Sequence, residues 1–326
     1  MLPVSYNDIA QACDTVYRHL QPTLLNEWPL LRQRLGFRYL LKHENHQPTG
    51  AFKVRGGINL VSRLPEEQVQ RGIISCTTGN HGQSLAYAAR QFGVGCTLVV
   101  PENNNPGKNQ AIRALGAELI EHGKDFDEAR IYCEQLTREK GLRYVHSANE
   151  PMLIAGVGTM ADEIFDREPA PDVVIVPIGL GSGICGTAIV AAERSPGTRV
   201  IGVQSAGAPA VTESFRSGKN VAYDSLDTIA EGLATRAPAD MTLEIMRRLV
   251  SDIVLVTDEE IKQAMAWLLE TTHNLAEPSG AAATAAAWKL RDKLKEKTVV
   301  GILSGGNCDL RLLAEVCRRG VRVKSS

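Results

Sequence analysis

Short apolar segments rich in β-branched residues alternate with segments of helical periodicity along most of the chain. The predicted strands lie at residues 37–44, 72–77, 96–101, 117–123, 172–179, 199–205, 252–258 and 298–306. Helices are predicted between them at residues 81–92, 107–115, 125–140, 183–194, 258–272 and 280–295. Because parallel strands need a crossover connection, this alternation is typical of βαβ units. It predicts an α/β fold with mainly parallel sheets flanked by helices.

Length and charge exclude several classes of protein. A chain of 326 residues predicts about two domains at ~150 residues each. The formal net charge of −1 leaves no basic excess for a nucleic acid or an anionic membrane surface. The seven cysteines include no CxxC pair, which argues against a zinc site or a disulfide framework. With no signal peptide pattern and no apolar run of membrane-spanning length, we expect a cytoplasmic protein.

One lysine, Lys53, lies between Phe52 and Val54 in the segment Pro48–Gly56, just after a predicted strand. Apolar neighbours disfavour the ammonium form, so its pKa falls and the free amine can form a Schiff base. For an isolated lysine, the alternative is an exposed residue at a helix N-terminus. Three further motifs, in a fixed order along the chain, favour the reactive amine.

The second motif is a strand that leads through small hydroxyl and glycine residues into an amphipathic helix. It contains Thr77, Thr78, Gly79, Asn80 and His81. Backbone N–H groups at a helix N-terminus bind anions, and the threonine hydroxyls add donors. The motif therefore suits a carboxylate, although an ordinary threonine N-cap followed by glycine has the same pattern.

The third motif is a glycine-rich loop between the predicted strand at 172–179 and the next helix. It consists of Gly179, Leu180, Gly181, Ser182 and Gly183. Glycines let the backbone approach an anion that the helix dipole attracts, so the loop predicts a phosphate site. A dinucleotide site would place an acidic residue about twenty positions on, where the following strand instead ends in Gln204 and Ser205.

The fourth motif, Ile302–Asn307, lies at the carboxyl end of the strand predicted at 298–306 and includes Ser304. Ligands of open α/β sheets lie beyond the carboxyl ends of the strands, and a serine with two glycines leaves room for a planar ring. Taken alone, the same residues would indicate a glycine turn.

Together these motifs resemble the fold-type II pyridoxal-phosphate enzymes, the tryptophan-synthase-β group, and within it the threonine dehydratase and serine racemase branch. The resemblance covers nearly the whole chain and includes Pro101, Pro106 and Lys108. It implies a two-lobed fold with the cofactor in the cleft. Residues 1–68 and 150–326 would form the large cofactor-binding domain, and residues 69–149 the small domain that binds the substrate carboxylate. No C-terminal regulatory domain is expected after the Ser304 strand.

The resemblance also assigns roles to residues. Lys53 would hold pyridoxal 5'-phosphate and remove the α-proton of the substrate, and Ser304 would bond the pyridine nitrogen. The other cofactor-binding residues would be Phe52, Asn80, Gly179, Leu180, Gly181, Ser182, Gly183 and Gly232. The substrate would contact Thr77, Thr78, Gly79, Asn80 and His81, with Arg236 and Glu277 as further candidates. Thr78 lies where related racemases place a second acid/base. No metal is expected, because Gln204–Ala210 offers no carboxylate.

The predicted function is a pyridoxal-phosphate-dependent ammonia-lyase that converts L-threonine or L-serine to a 2-oxo acid and ammonia. Arg236 leaves 3-hydroxyaspartate open as a substrate, since guanidinium binds a second carboxylate bidentately. Phenylserine dehydration and serine or amino-acid racemisation are further alternatives. A nucleotide-dependent oxidoreductase and an amino-acid sensor are the alternatives outside the lyases. From the family we expect a homodimer or a higher homo-oligomer whose ligand is a small amino acid.

Overall fold

The computed structural model describes residues 2–322 as two parallel-dominated sheets with helices packed on them. The strands are β1 (Leu25–Glu27), β2 (Arg38–His43), β3 (Ile73–Cys76), β4 (Cys96–Val100), β5 (Glu118–Glu121), β6 (Arg143–Tyr144), β7 (Val173–Pro177), β8 (Arg199–Ser205), β9 (Asp252–Val256) and β10 (Thr298–Leu303). The helices of the first half are α1 (Tyr6–Val16), α2 (Pro29–Leu35), α3 (Lys53–Val61), α4 (Glu66–Arg71), α5 (Asn80–Phe92), α6 (Pro106–Ala114), α7 (Phe126–Lys140) and α8 (Pro151–Arg167). Those of the second half are α9 (Ser182–Arg194), α10 (Ala210–Ser217), α11 (Asp240–Leu249), α12 (Asp258–Thr272), α13 (Pro278–Lys289), α14 (Arg291–Leu294) and α15 (Leu310–Arg322).

The larger sheet has six strands in the order β1-β2-β10-β7-β8-β9. All its pairs are parallel except β1 with β2. Val300 of β10 lies opposite Leu40 and Val174, so the three central strands end at one edge. Helices cover both faces, because the buried apolar side chains of these strands divide between two separate core clusters.

The smaller sheet has four parallel strands in the order β5-β4-β3-β6. Helix α5 connects β3 to β4, and α6 connects β4 to β5. Leu85 of α5 and Leu98 of β4 belong to one buried cluster on this sheet. The carboxyl end of β3 therefore leads directly into the N-terminus of α5, where the second sequence motif lies.

All eight predicted strands are present, and the predicted α/β fold with parallel sheets is confirmed. Strands β1 and β6, which span 3 and 2 residues, were not predicted because so few residues give no periodicity. The single helix predicted at 280–295 is wrong at its end, since α13 stops at Lys289 and Leu290 separates it from α14.

Helices α3, α8 and α9 approach one another so closely that their backbones are in contact. A Cβ atom at Gly156 of α8 would lie 2.5 Å from the carbonyl oxygen of Arg55 in α3. One at Gly186 of α9 would lie 2.7 Å from the Cα atom of Gly158 in α8. These close approaches need glycine. They fix α3, which begins at Lys53, against α9, which follows the glycine-rich loop.

Candidate active site

Lys53 lies at the edge of the larger sheet where β10 ends. The segment before it is bonded to the residues after β10: Phe52 N–H donates to the Ser304 carbonyl at 3.1 Å. Gly306 N–H likewise donates to the Gly50 carbonyl at 2.9 Å. These bonds place the first and fourth sequence motifs side by side, as ligand sites at carboxyl strand ends require.

The Lys53 amine lies in an apolar environment beside the N-terminus of α9. Its Nζ donates a hydrogen bond to Ser182 Oγ at 3.0 Å and lies 5.1 Å from the centroid of the Phe52 ring. No carboxylate in residues 2–322 forms an ion pair with this amine. Burial lowers the pKa of Lys53 to about 8. The neutral, nucleophilic form is therefore far more populated near neutral pH than in an ordinary lysine.

The glycine-rich loop between β7 and α9 is shaped by close backbone contacts. Gly181 has φ +103°, a conformation that favours glycine. A Cβ atom at Gly179 would lie 2.3 Å from the carbonyl oxygen of Gly232. Thr242 Oγ1 donates to the Leu180 carbonyl at 2.5 Å and holds the loop from α11. The first N–H groups of α9, from Ser182 onward, lack intrahelical partners and are therefore available to bind an anion.

The loop between β3 and α5 is organised by one threonine. Thr77 Oγ1 accepts hydrogen bonds from the N–H groups of Gly79 and Gly82, each at 3.1 Å. Thr77 and Gly79 are buried, whereas Thr78 and Asn80 are half-buried. The bonds of Thr77 hold the loop's shape, which leaves the Thr78 hydroxyl and the Asn80 amide as its partly accessible polar groups.

Asn80 connects the smaller sheet's side of the site to the larger sheet's side. Its Nδ2 donates to Glu277 Oε1 at 2.6 Å, and its Oδ1 accepts from Asn307 Nδ2 at 2.8 Å. Asn307 Nδ2 also donates to the Thr49 carbonyl at 2.8 Å. Burial raises the pKa of the Glu277 carboxyl, which the Lys108 ammonium opposes. Asn307 stands in the fourth motif, but its bond to Asn80 was not predicted.

Ser304 and Gly232 converge on a serine that sequence reasoning did not single out. Ser304 Oγ donates to the Ser279 carbonyl at 3.4 Å. A Cβ atom at Gly232 would lie 2.5 Å from Ser279 Oγ. The start of α13 therefore packs between the end of β10 and the short 3₁₀ helix Glu231–Leu233. The only signal in the sequence is that Ser279 follows Glu277 and Pro278.

Two predicted substrate residues have other partners in this structure. His81 is 7% exposed, and its Nε2 lies 3.1 Å from Ser75 Oγ in β3. Burial lowers the pKa of His81 to about 3, so the ring is neutral. Arg236 forms ion pairs with Asp127 and, at 3.5 Å, with Asp125 at the start of α7. The substrate contacts of both residues stay predictions.

A buried ionic network lies beneath Lys53. Arg55 and Glu44 are both 0% exposed and share bonds of 2.7 and 2.8 Å. Arg55 Nη1 also donates to Glu163 Oε1 of α8 at 2.6 Å, and Glu163 pairs with buried Lys42 of β2. The four charges balance, so α3 is tied to β2 and α8 just after the lysine.

Residues 2–322 contain neither a cluster of metal-ligating side chains nor a membrane-spanning helix. No group of three or more histidine, cysteine, aspartate or glutamate side chains in residues 2–322 is placed to hold a metal ion. In the Gln204–Ala210 segment, Gln204 Oε1 accepts bonds from Thr212 N–H at 3.0 Å and Oγ1 at 2.9 Å. None of the helices in this range is long and apolar enough to span a membrane.

A weakly basic amine next to a glycine-rich helix N-terminus defines a site for a phosphorylated carbonyl cofactor. The chain matches the family of pyridoxal-phosphate dependent enzymes over residues 16–305, and it belongs to that family. This confirms the resemblance drawn from the four motifs and rejects the dinucleotide interpretation of the glycine-rich loop.

The chain is also similar to individual proteins of known sequence or structure. The chain is 36% identical over 322 residues to an L-threonine ammonia-lyase of Thermotoga maritima, which covers 99% of this chain and 80% of the relative. The processed threonine deaminase isoform 2 of Solanum lycopersicum superposes with a TM-score of 0.91 at 32% identity, over 96% of this chain and 92% of that one. Maize serine racemase gives a TM-score of 0.91 at 29% identity, over 99% of both chains.

The residues present fit pyridoxal phosphate. The Lys53 ammonium points at the positive end of α9, an unfavourable arrangement that a bound phosphate would relieve. A Cβ atom at Gly183 would lie 3.1 Å from the Phe52 ring, so glycine at this position lets that ring pack closely against the helix end. An aldehyde for the amine and an anion for the helix N-terminus are thus accommodated next to each other.

Proposed function

We propose that this protein is an ammonia-lyase that converts a 3-hydroxy L-amino acid, by default L-threonine or L-serine, to a 2-oxo acid and ammonia. The observation that carries the proposal is the Lys53 amine, weakly basic and 3.0 Å from Ser182 at the N-terminus of α9. The L-threonine ammonia-lyase of Thermotoga maritima, matched over nearly the whole chain, supports it.

When bound, pyridoxal phosphate supplies an electron sink for the α-carbon of an attached amino acid. Lys53 would hold it covalently, and the N–H groups of the Gly179–Gly183 loop would hold its phosphate. Phe52, Gly232 and Ser304 would lie around its ring, with Asn80 at the phenolic oxygen. A hydroxyl such as that of Ser304 does not keep a ring nitrogen protonated, which favours prompt loss of a β-leaving group over a long-lived carbanion.

The protein side of the reaction is proton transfer and positioning. In its neutral form the Lys53 amine removes the α-proton as a general base. The loop of Thr77, Thr78, Gly79 and Asn80 holds the substrate carboxylate through its N–H and hydroxyl donors. The Asn80–Glu277 and Asn80–Asn307 bonds, 2.6 and 2.8 Å, fix this loop against the larger sheet's side. Substrate is thereby held with its α-carbon near the amine.

We further propose the division into a large domain of residues 1–68 and 150–326 and a small domain of residues 69–149. The two separate sheets support it, since β3, β4, β5 and β6 all fall in the second range. We also propose a homodimer or higher homo-oligomer in the cytoplasm, which sedimentation of the purified protein and localisation in cells would test.

The test of the proposed activity is 2-oxo acid formation by cofactor-loaded protein with four substrates: L-threonine, L-serine, 3-hydroxyaspartate and phenylserine. We expect oxo acid and equimolar ammonia with L-threonine or L-serine. A preference for 3-hydroxyaspartate would support the second-carboxylate role of Arg236. D-serine formed from L-serine without oxo acid would instead make the protein a racemase, and no turnover of any of the four would reject the proposed lyase.

The lowered pKa of Lys53 predicts a specific pH dependence in cofactor-free protein. Because the neutral amine is the nucleophile, the rate of its modification by an amine-reactive probe rises with pH and levels off above a midpoint of about 8. An ordinary lysine gives a midpoint of ~10.4. Mass spectrometry of the Lys53 peptide over a pH series measures the midpoint, and lysines elsewhere in the chain are internal controls. A midpoint near the ordinary value would contradict the desolvated environment.

A further inference from the structure

Lys108 is a nearly buried cation that contacts the loop between β3 and α5. It lies in the first turn of α6, and its side chain is 11% exposed. A Cβ atom at Gly79 would lie 2.9 Å from its Cδ and 3.3 Å from its Nζ. The ammonium therefore rests on the residue at the centre of the loop that is proposed to hold the substrate carboxylate.

The partner of this ammonium comes from the other side of the site. Lys108 Nζ pairs with Glu231, whose side chain is 50% exposed. Glu231 begins the 3₁₀ helix that contains Gly232, which packs against Gly179 of the glycine-rich loop. The ion pair thus connects the loop between β3 and α5 to the glycine-rich loop. The Lys108 ammonium therefore lies at the cleft between these two loops.

Of the other charged groups near the loop, Lys53 would be taken up by the cofactor, and the rest supply no free cation. Glu277 is buried and acidic, and its carboxyl is bonded to Asn80 on the loop. Arg236 was predicted from the sequence as a candidate to bind a second substrate carboxylate, but it is paired with Asp125 and Asp127. A substrate carboxylate entering the loop therefore meets Lys108 as its neighbouring positive charge, in competition with Glu231.

We propose that Lys108 is a substrate-binding residue: its ammonium holds the α-carboxylate of the amino-acid substrate at the Thr77–Asn80 loop, and Glu231 competes for the same ammonium. This inference rests on the proposed function of the loop. It predicts effects of opposite sign for the two members of one ion pair, because removing the cation weakens substrate binding whereas removing the competitor strengthens it.

The experiment compares Lys108→Met and Glu231→Gln with the parent protein. Methionine keeps the apolar stem against Gly79 and removes only the charge. For L-threonine we expect KM to rise about 10- to 100-fold in Lys108→Met, the loss of one charge-assisted hydrogen bond, with a smaller change in kcat. In Glu231→Gln we expect KM to fall about two- to fivefold, the strength of a partly exposed ion pair.

Lys262→Met is the matched control. The Lys262 side chain is 13% exposed and pairs with Glu315 at 3.0 Å, but it lies on α12, away from the loop. We expect its KM to equal that of the parent. Any rise in KM common to both lysine variants would reflect general damage to the fold rather than lost substrate binding.

A second measurement separates this inference from the proposed function. L-Alanine presents the same carboxylate but has no β-hydroxyl to lose, so its affinity can be read from the absorbance of the bound cofactor without turnover. Weaker L-alanine binding in Lys108→Met and tighter binding in Glu231→Gln support the inference even if no hydroxy amino acid is converted. If both variants lose affinity together, or neither changes, Lys108 is a structural ion-pair residue and the inference is wrong.

Discussion

Lys53→Ala is expected to lose the visible absorbance of the bound cofactor and to form 2-oxo acid about 10⁴-fold more slowly than the parent. The amine that lies 3.0 Å from Ser182 is the proposed covalent attachment point and the proposed base, so one substitution removes both roles. Absorbance spectra after addition of pyridoxal phosphate, followed by the oxo acid assay with L-threonine, measure the two losses.

The control for this variant is Lys297→Ala, which removes an exposed lysine paired with Asp172 at 2.9 Å. It lies just before β10, at the opposite end of that strand from Ser304. We expect its spectrum and its rate to match the parent. Because no carboxylate within residues 2–322 pairs with Lys53, the alanine variant should keep the parent's melting temperature when both are compared without cofactor. A Lys53→Ala protein that retained the visible band would contradict the attachment at this residue.

Arg55→Met is expected to lower the free energy of unfolding by about 3–5 kcal/mol, the cost of leaving a buried carboxylate without its partner. Arg55 and Glu44 are 0% exposed, and Glu163 is 7% exposed. Without the guanidinium, Lys42 is the remaining cation of the network, and it faces two buried carboxylates. Urea unfolding of cofactor-free protein, followed by circular dichroism, measures the change.

Arg71→Met provides the comparison, since Arg71 and its partner Glu67 are 56% and 70% exposed. Such a surface pair contributes ~0.2–1 kcal/mol, so unfolding should change little. If Arg55→Met were as stable as Arg71→Met, the buried network would not hold α3 in place. Arg55→Lys keeps a charge but loses the two-pronged contact with Glu44, and we expect it to fall between the two.

Strand positions could be predicted because a parallel sheet covered on both faces produces continuous apolar runs such as 172–179. Helix α8 was missed for a related reason. It is buried from Leu153 to Ala161 without interruption and carries glycines at 156 and 158, so it shows neither a polar face nor strong helix propensity. A Cβ atom at Gly156 would meet the backbone of α3, and one at Gly158 would meet the Ile9 side chain of α1. Both helices lie far from α8 in the sequence, so nothing local explains the two glycines.

The motifs of the site could be predicted because each is a local pattern at a strand end, but their partners could not. Asn80 and Asn307 are 227 positions apart, and Lys108 and Glu231 are 123 apart, so no spacing rule connects them. The carboxylate partners of Arg236 could not be predicted either. Asp125 caps α7 on the smaller sheet's side and Asp127 lies in its first turn, and nothing in the sequence around Arg236 points to them.

The place of β10 in the larger sheet has a consequence for how the chain is made. β10 is the last strand of residues 2–322 in sequence, yet it lies between β2 and β7, and Arg38 of β2 pairs with Thr298 across 260 positions. During translation β2 and β7 would each wait with an apolar edge unpaired until β10 emerges from the ribosome. We therefore expect newly made chains to depend on chaperone protection until β10 has been synthesised.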